Sequence, residues 1–91
     1  MKIELHDVFC SRGMTKVLHK IVLCKEINIT QLTRETGLNH IQTKKYLKIL
    51  VSLGLVEEKR FGRIRIFRCK MNNKYMKLLS DFIEAWERIS N

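Results

Sequence analysis

Gly37, Leu38 and Asn39 put a helix stop and a helix start within three residues of each other. Glycine accepts the left-handed backbone that ends a helix, and an asparagine side chain offers its oxygen to the free amides that begin the next. Before this break, Thr30 to Thr36 has helical spacing, with Thr30 as the predicted cap and Leu32 and Leu38 pointing inward. After it, His40 to Leu53 carries Thr43, Leu47 and Leu50 on its inward face, joined by Tyr46 and Val51, until Gly54 ends the run. Two helices joined this tightly brace each other through Leu32 and Leu38 against Leu47. The second is left proud of the surface, with His40, Ile41, Gln42, Lys44, Lys45 and Lys48 on its outer side.

The flanking segments complete one architecture. Residues 1–10 fit neither apolar period well and read as a short lead-in strand or helix. Ser11 caps a predicted helix to about Lys25, with Met14, Leu18, Ile21 and Val22 on one stripe, and Asn28 breaks the run. After Gly54 the period becomes two. Ile64-Arg65-Ile66 alternates, and the pattern predicts a hairpin turning near Phe61-Gly62-Arg63, with a loop of two residues or three and the register open. The last segment, Asn73 to Ser90, is a long helix capped by Asn72 or Asn73. Its Tyr75, Leu79, Phe82, Trp86 and Ile89 follow heptad spacing, broadened by Met76 and Ile83. With no proline and no low-complexity stretch, residues 1–91 read as one domain: lead-in 1–10, core and hairpin 11–70, final helix 71–91. The fold class is α+β, mostly α: a three-helix core, a β-hairpin wing and a long C-terminal helix.

Charge then narrows the partner. The net charge is +9, and nearly all of the excess lies in residues 39–70, where nine basic side chains (Lys44, Lys45, Lys48, Lys59, Arg60, Arg63, Arg65, Arg68, Lys70) meet only Glu57 and Glu58. A one-sign excess of this kind attracts a polyanion. The basic residues fall on a hairpin and a core helix rather than on one amphipathic surface helix, which favours nucleic acid over a membrane surface. No run approaches the roughly 20 apolar residues of a membrane span, and MKIELHDVFC lacks the apolar stretch of a signal peptide, so a cytoplasmic location is expected. No nucleophile–base pair, carboxylate dyad or phosphate-cradling glycine loop is present, so no enzyme, cofactor or metal is expected. Cys10, Cys24 and Cys69 are odd in number and too far apart for a zinc or disulfide framework. His6 and His19 stand alone and receive no role.

The proud helix has the chemistry to read duplex DNA. The major groove, about 12 Å wide, admits one helix. Gln42 can pair bidentately with adenine, Ile41 can touch a thymine methyl, and Lys44, Lys45 and Lys48 can donate to guanine or neutralise phosphate. Asn39 and the helix N-terminus can hold a backbone phosphate through amide N–H groups. Arg60, Arg63, Arg65 and Arg68, read as a cluster about the glycine tip, suit phosphate and the minor groove.

The run NITQLTRETGLNHIQTKKYLKILVSLGLVEEKRFGRIRIFRC, preceded by CSRGMTKVLHKIVL, resembles the winged helix-turn-helix repressors of the arsenical-resistance and multiple-antibiotic-resistance types, and especially small archaeal and archaeal-virus regulators. The resemblance covers about residues 8–70 and implies recognition through the third helix, usually by a homodimer. It departs from the pattern at Thr43, where an aliphatic residue is common, and at Thr33, often alanine. The recognition helix also lacks the C-x-C pair of metal-sensing relatives. The expected site is therefore Asn39, His40, Ile41, Gln42, Lys44, Lys45 and Lys48 with Arg60, Arg63 and Arg65 on duplex DNA. The expected dimer interface is Tyr75, Leu79, Phe82, Ile83, Trp86 and Ile89, joined by Ile3, Leu5 and Phe9. Two alternatives stay open here: a winged-helix module for protein or RNA, and a redox-responsive regulator using the cysteines.

Overall fold

The computed structural model, which describes residues 2–91, runs α1 (Leu5–Val8), α2 (Arg12–Cys24), β1 (Glu26–Asn28), α3 (Ile29–Thr36), α4 (His40–Ser52), β2 (Val56–Phe61), β3 (Ile64–Cys69) and α5 (Lys74–Ser90). The short lead-in is helical. α2 starts at its expected cap, where the Ser11 hydroxyl accepts the Met14 amide at 3.1 Å. Asparagines begin the next three helices: Asn28 accepts from Gln31, Asn39 from Gln42, and Asn73 from Tyr75 and Met76. The cap of α3 is thus Asn28 and not Thr30: its carboxamide oxygen accepts the Gln31 amide at 2.8 Å, so the helix starts at Ile29 and Thr30 lies inside its first turn. Asn73 also donates to the Gly54 carbonyl at 3.0 Å, which ties the start of α5 to the end of α4.

The core lies under α2, whose Met14, Val17, Leu18, Ile21 and Val22 are buried against α3, α4, α5 and the sheet. Leu32, Leu47, Leu50, Leu55, Val56, Phe67 and Met76 close it. Gly13 lets α4 approach: a Cβ there would stand 2.8 Å from the Tyr46 ring, whose hydroxyl accepts from Ser11 at 3.3 Å. Tyr46 is half-buried, whereas Val51, expected to face inward, is exposed. Thr43 and Thr33 fit where other side chains are common because each hydroxyl donates to the carbonyl one turn back, Thr43 to Asn39 at 2.9 Å and Thr33 to Ile29 at 2.8 Å.

The sheet is three-stranded and antiparallel, in the order β1-β3-β2. β1 was not expected from the sequence: three residues leave no visible period, and their pairing with β3 is long-range. In the hairpin Phe61 faces Ile64, so the loop is the two residues Gly62 and Arg63. Only Gly62 has positive φ, 63°, the pattern of a type II′ turn with glycine at its first central position.

Lys25 is the one non-glycine residue with positive φ among the described residues, at φ 69° and ψ −51°. Its amide caps α2 on the Ile21 carbonyl, and its ammonium reaches Glu84 of α5 at 2.5 Å. A Cβ in this region is strained. Lys25→Gly is expected to raise stability by about 1 kcal/mol, a Tm gain of a few degrees, because an exposed ion pair contributes less than the strain costs. Lys25→Ala keeps the strain, loses the pair, and should melt lower than wild type; parallel thermal melts check both.

Candidate nucleic-acid interface

α4 has no acidic residue, and its inward contacts at Thr43, Leu47 and Leu50 fix which side faces out. His40, Ile41, Gln42, Lys44, Lys45 and Lys48 are all exposed, Ile41 by 80%. Asn39 does less than expected with its side chain: the carboxamide oxygen is spent on the Gln42 amide at 2.8 Å, and its carbonyl takes the Thr43 hydroxyl. What remains there for an anion is the free first-turn amides of α4.

The hairpin stands beside this helix. A groove of about 470 Å³ runs between them, lined by Ile41, Lys44, Lys45 and Lys48 on one side and Glu58, Arg65 and Phe67 on the other. A second cleft adjoins it across Ile29 and Arg65 and holds Arg34, Arg63 and the start of α3. One cationic surface therefore extends from Lys48 through Arg65 to Arg63 and Arg34. Lys44, Lys45, Lys48, Arg34 and Arg63 have no acidic partner among the described residues. Arg34 is the residue that sequence reasoning missed. Its position on α3 said nothing about the distant hairpin tip, so only folding brings it beside Arg63.

The arginines of the hairpin divide into three kinds. Arg63, in the loop, is exposed and unpaired. Arg65 lies half-buried with its guanidinium 5.5 Å above the Phe67 ring, and it donates to both Glu58 carboxylate oxygens at 2.6 and 3.2 Å; Arg60 shares that carboxylate at 3.3 Å. The hydrogen bonds from Arg65 hold the Glu58 carboxyl below its ordinary range, against a smaller upward push from burial. The bridge thus persists through mildly acidic pH and is lost only as pH falls through that lowered value. Arg68 was expected at the tip and is not there: it opposes Glu57 at the other end of β3, binds it at 2.6 Å, and reaches Glu26 at 3.4 Å. Strand rise decides the distance, since the positions between Arg63 and Arg68 at about 3.3 Å each carry it well away from the tip, and register decides only that its partner is Glu57.

The other expected surface is α5. Met76, Ser80 and Ile83 face the chain's own core, so Ile83 belongs to that core and not to an outer seam, and Ile3 is buried likewise. Leu79 is half-buried. Tyr75, Leu78, Phe82, Trp86 and Ile89 are exposed, Trp86 by 58%, with Leu5 and Phe9 of the lead-in beside them. Phe82 and Trp86 pack at 6.0 Å between ring centroids. His19, which received no role, meets Glu87 at 2.7 Å and ties α2 to α5.

The cysteines are unpaired. Burial pushes the Cys69 thiol up to about 11 although Lys25 opposes it, so at neutral pH Cys69 is a protonated, weakly reactive thiol. Among the described residues no three His, Cys, Asp or Glu side chains gather as metal ligands, and no helix is long and apolar enough to cross a membrane.

The sequence matches no family model and no curated protein. Solved structures do resemble the fold. The antimony-specific transcriptional repressor AntR aligns with TM-score 0.74 at 14% identity, over 94% of this chain and 76% of its own. HlyU from Vibrio cholerae aligns with TM-score 0.74 at 16% identity, over 93% and 86%. Sso10a-2, a DNA-binding protein from Sulfolobus solfataricus, aligns with TM-score 0.62 at 26% identity, over 87% and 82%. The chain has the winged helix-turn-helix fold seen in transcriptional regulators: α3 and α4 are the helix-turn-helix, and β2–β3 is the wing.

Proposed function

We propose that this protein is a sequence-specific transcription regulator that binds duplex DNA as a homodimer. The carrying observation is the acid-free exposed face of α4, which shares one groove with the wing. In this reading α4 enters the major groove. Gln42, Ile41 and His40 meet base edges, while Lys44, Lys45 and Lys48 meet bases or phosphate. The first-turn amides after Asn39 hold a phosphate, and Arg63 reaches the minor groove with Arg60 and Arg65 behind it. The exposed seam of Tyr75, Phe82, Trp86 and Ile89, flanked by Leu79, pairs with a second copy. Sso10a-2 is a DNA-binding protein and AntR a repressor, and both support this choice over an RNA or protein module.

Selection of bound sequences from a random duplex library tests the proposal. Recovered sites should share an inverted repeat with half-site centres about 34 Å apart, and structured RNA should compete poorly. Recovery without any shared sequence, or RNA competing equally, contradicts it.

Glu58 holds back part of the charge. Removing its charge frees Arg60 and Arg65 and takes an anion out of the groove. Glu58→Gln is expected to tighten duplex binding several-fold, to roughly tenfold, at about 0.1 M salt. Fluorescence anisotropy checks this; unchanged or weaker binding means that the bridge is needed to hold the wing in place.

A further inference from the structure

The wing tip carries a feature that charge alone does not explain. Phe61 and Ile64 are exposed by 64% and 56%, and they face each other directly across the two-residue loop. Opposed residues of an antiparallel pair point to the same side of the hairpin. Alternation puts Lys59 and Ile66 on that side as well, while Arg60 and Arg65 point to the other, toward α4. The tip is thus an apolar pair with Lys59 on its own side and the free Arg63 in the loop beside it. Neither side chain packs against the core, and together they make one apolar patch rather than a scattered single residue. An apolar wedge among cations matches what a minor groove offers: phosphates along both walls, and between base pairs an apolar gap that a side chain enters once the stack is opened.

We propose that Phe61 and Ile64 form a wedge that enters a base step of duplex DNA from the minor groove, so that binding bends the DNA. This rests on the DNA-binding reading above. The cations supply the approach and the wedge supplies the deformation, so specificity would extend to flexible pyrimidine–purine steps that no side chain reads by hydrogen bonding. A type II′ turn suits the role, because two loop residues leave little backbone to collide with the groove walls.

The probe is a duplex of about 30 base pairs carrying a site recovered by selection with the wild-type chain, with donor and acceptor dyes at its ends and 2-aminopurine at the steps flanking each half-site. Wild-type protein should raise energy transfer, as a bend of about 20° or more would, and should raise 2-aminopurine fluorescence at one step per half-site. Phe61→Ser with Ile64→Ser should keep its circular dichroism and still bind, within about tenfold of wild type by anisotropy, while leaving both signals flat. Phe61→Leu should restore much of the bend. The proposal is overturned if wild type binds straight DNA, if the double serine variant bends it equally, or if that variant changes only sedimentation, which would make the pair a contact between copies. Absence of any wild-type binding would instead remove the DNA-binding reading, and the wedge with it.

Discussion

Alanine at Lys44, Lys45 and Lys48 together is expected to weaken duplex binding at least a hundredfold at about 0.1 M salt, with the fold intact. These side chains are exposed, have no acidic partner among the described residues, and make no core contact, so their removal leaves Thr43, Leu47 and Leu50 packed as before. Each lysine on a phosphate releases about one counterion, which is worth roughly a factor of eight at about 0.1 M salt. The salt dependence of affinity should flatten by about three per subunit. Anisotropy with wild type and triple variant at several salt concentrations, beside matched circular dichroism, measures both effects. A loss below tenfold would place the binding face elsewhere.

Glutamine at Phe82 and Trp86 is expected to do comparable damage from the far end of the molecule. Glutamine keeps helix propensity, so α5 should persist. The two exposed rings, however, are the largest apolar groups on its outer face. Losing them should convert a dimer to a monomer in sedimentation. Affinity for a two-half-site duplex should fall about a hundredfold or more, because the second half-site is no longer held at high effective concentration. Affinity for a single half-site should change little. If the variant stays dimeric, a surface other than this one joins the copies.

What was legible in the sequence was what is locally written. The Gly37 and Asn39 punctuation marked both helices, because a left-handed cap and a carboxamide cap act within one turn. Ser11 marked α2 and the Asn72-Asn73 pair marked α5 in the same way, with Asn73 the actual cap. The exposed face of α4 followed from the spacing of its buried residues. Long-range pairing was not legible. β1 exists because Glu26, Ile27 and Asn28 meet Arg68, Phe67 and Ile66, some forty residues away. The pairing of Arg65 with Glu58 and of Arg68 with Glu57, which leaves Arg63 free, depends on a register that a one-residue difference in loop length would shift. Ile83 looked like part of the outer seam because a helix with apolar residues over a wide arc does not say which edge its own core takes. The positive φ of Lys25 left no trace, since no glycine marks it.

Folding leaves less free charge than the composition suggests. The sequence offers nine basic side chains between residues 39 and 70, but the fold spends Arg68 on Glu57 and Glu26 and holds Arg60 and Arg65 on Glu58. The free cations on the shared face are Lys44, Lys45, Lys48 and Arg63, and Arg34 joins them from outside the basic stretch.

In the proposed function, this cationic face binds duplex DNA by displacing counterions from its phosphates. The direct measurement is the affinity of wild-type protein for a labelled duplex from about 0.05 to about 0.3 M salt, with log K plotted against log salt concentration. A straight line with a slope of about −3 per bound subunit or steeper is expected. A flat line, or no binding at the lowest salt, would contradict it.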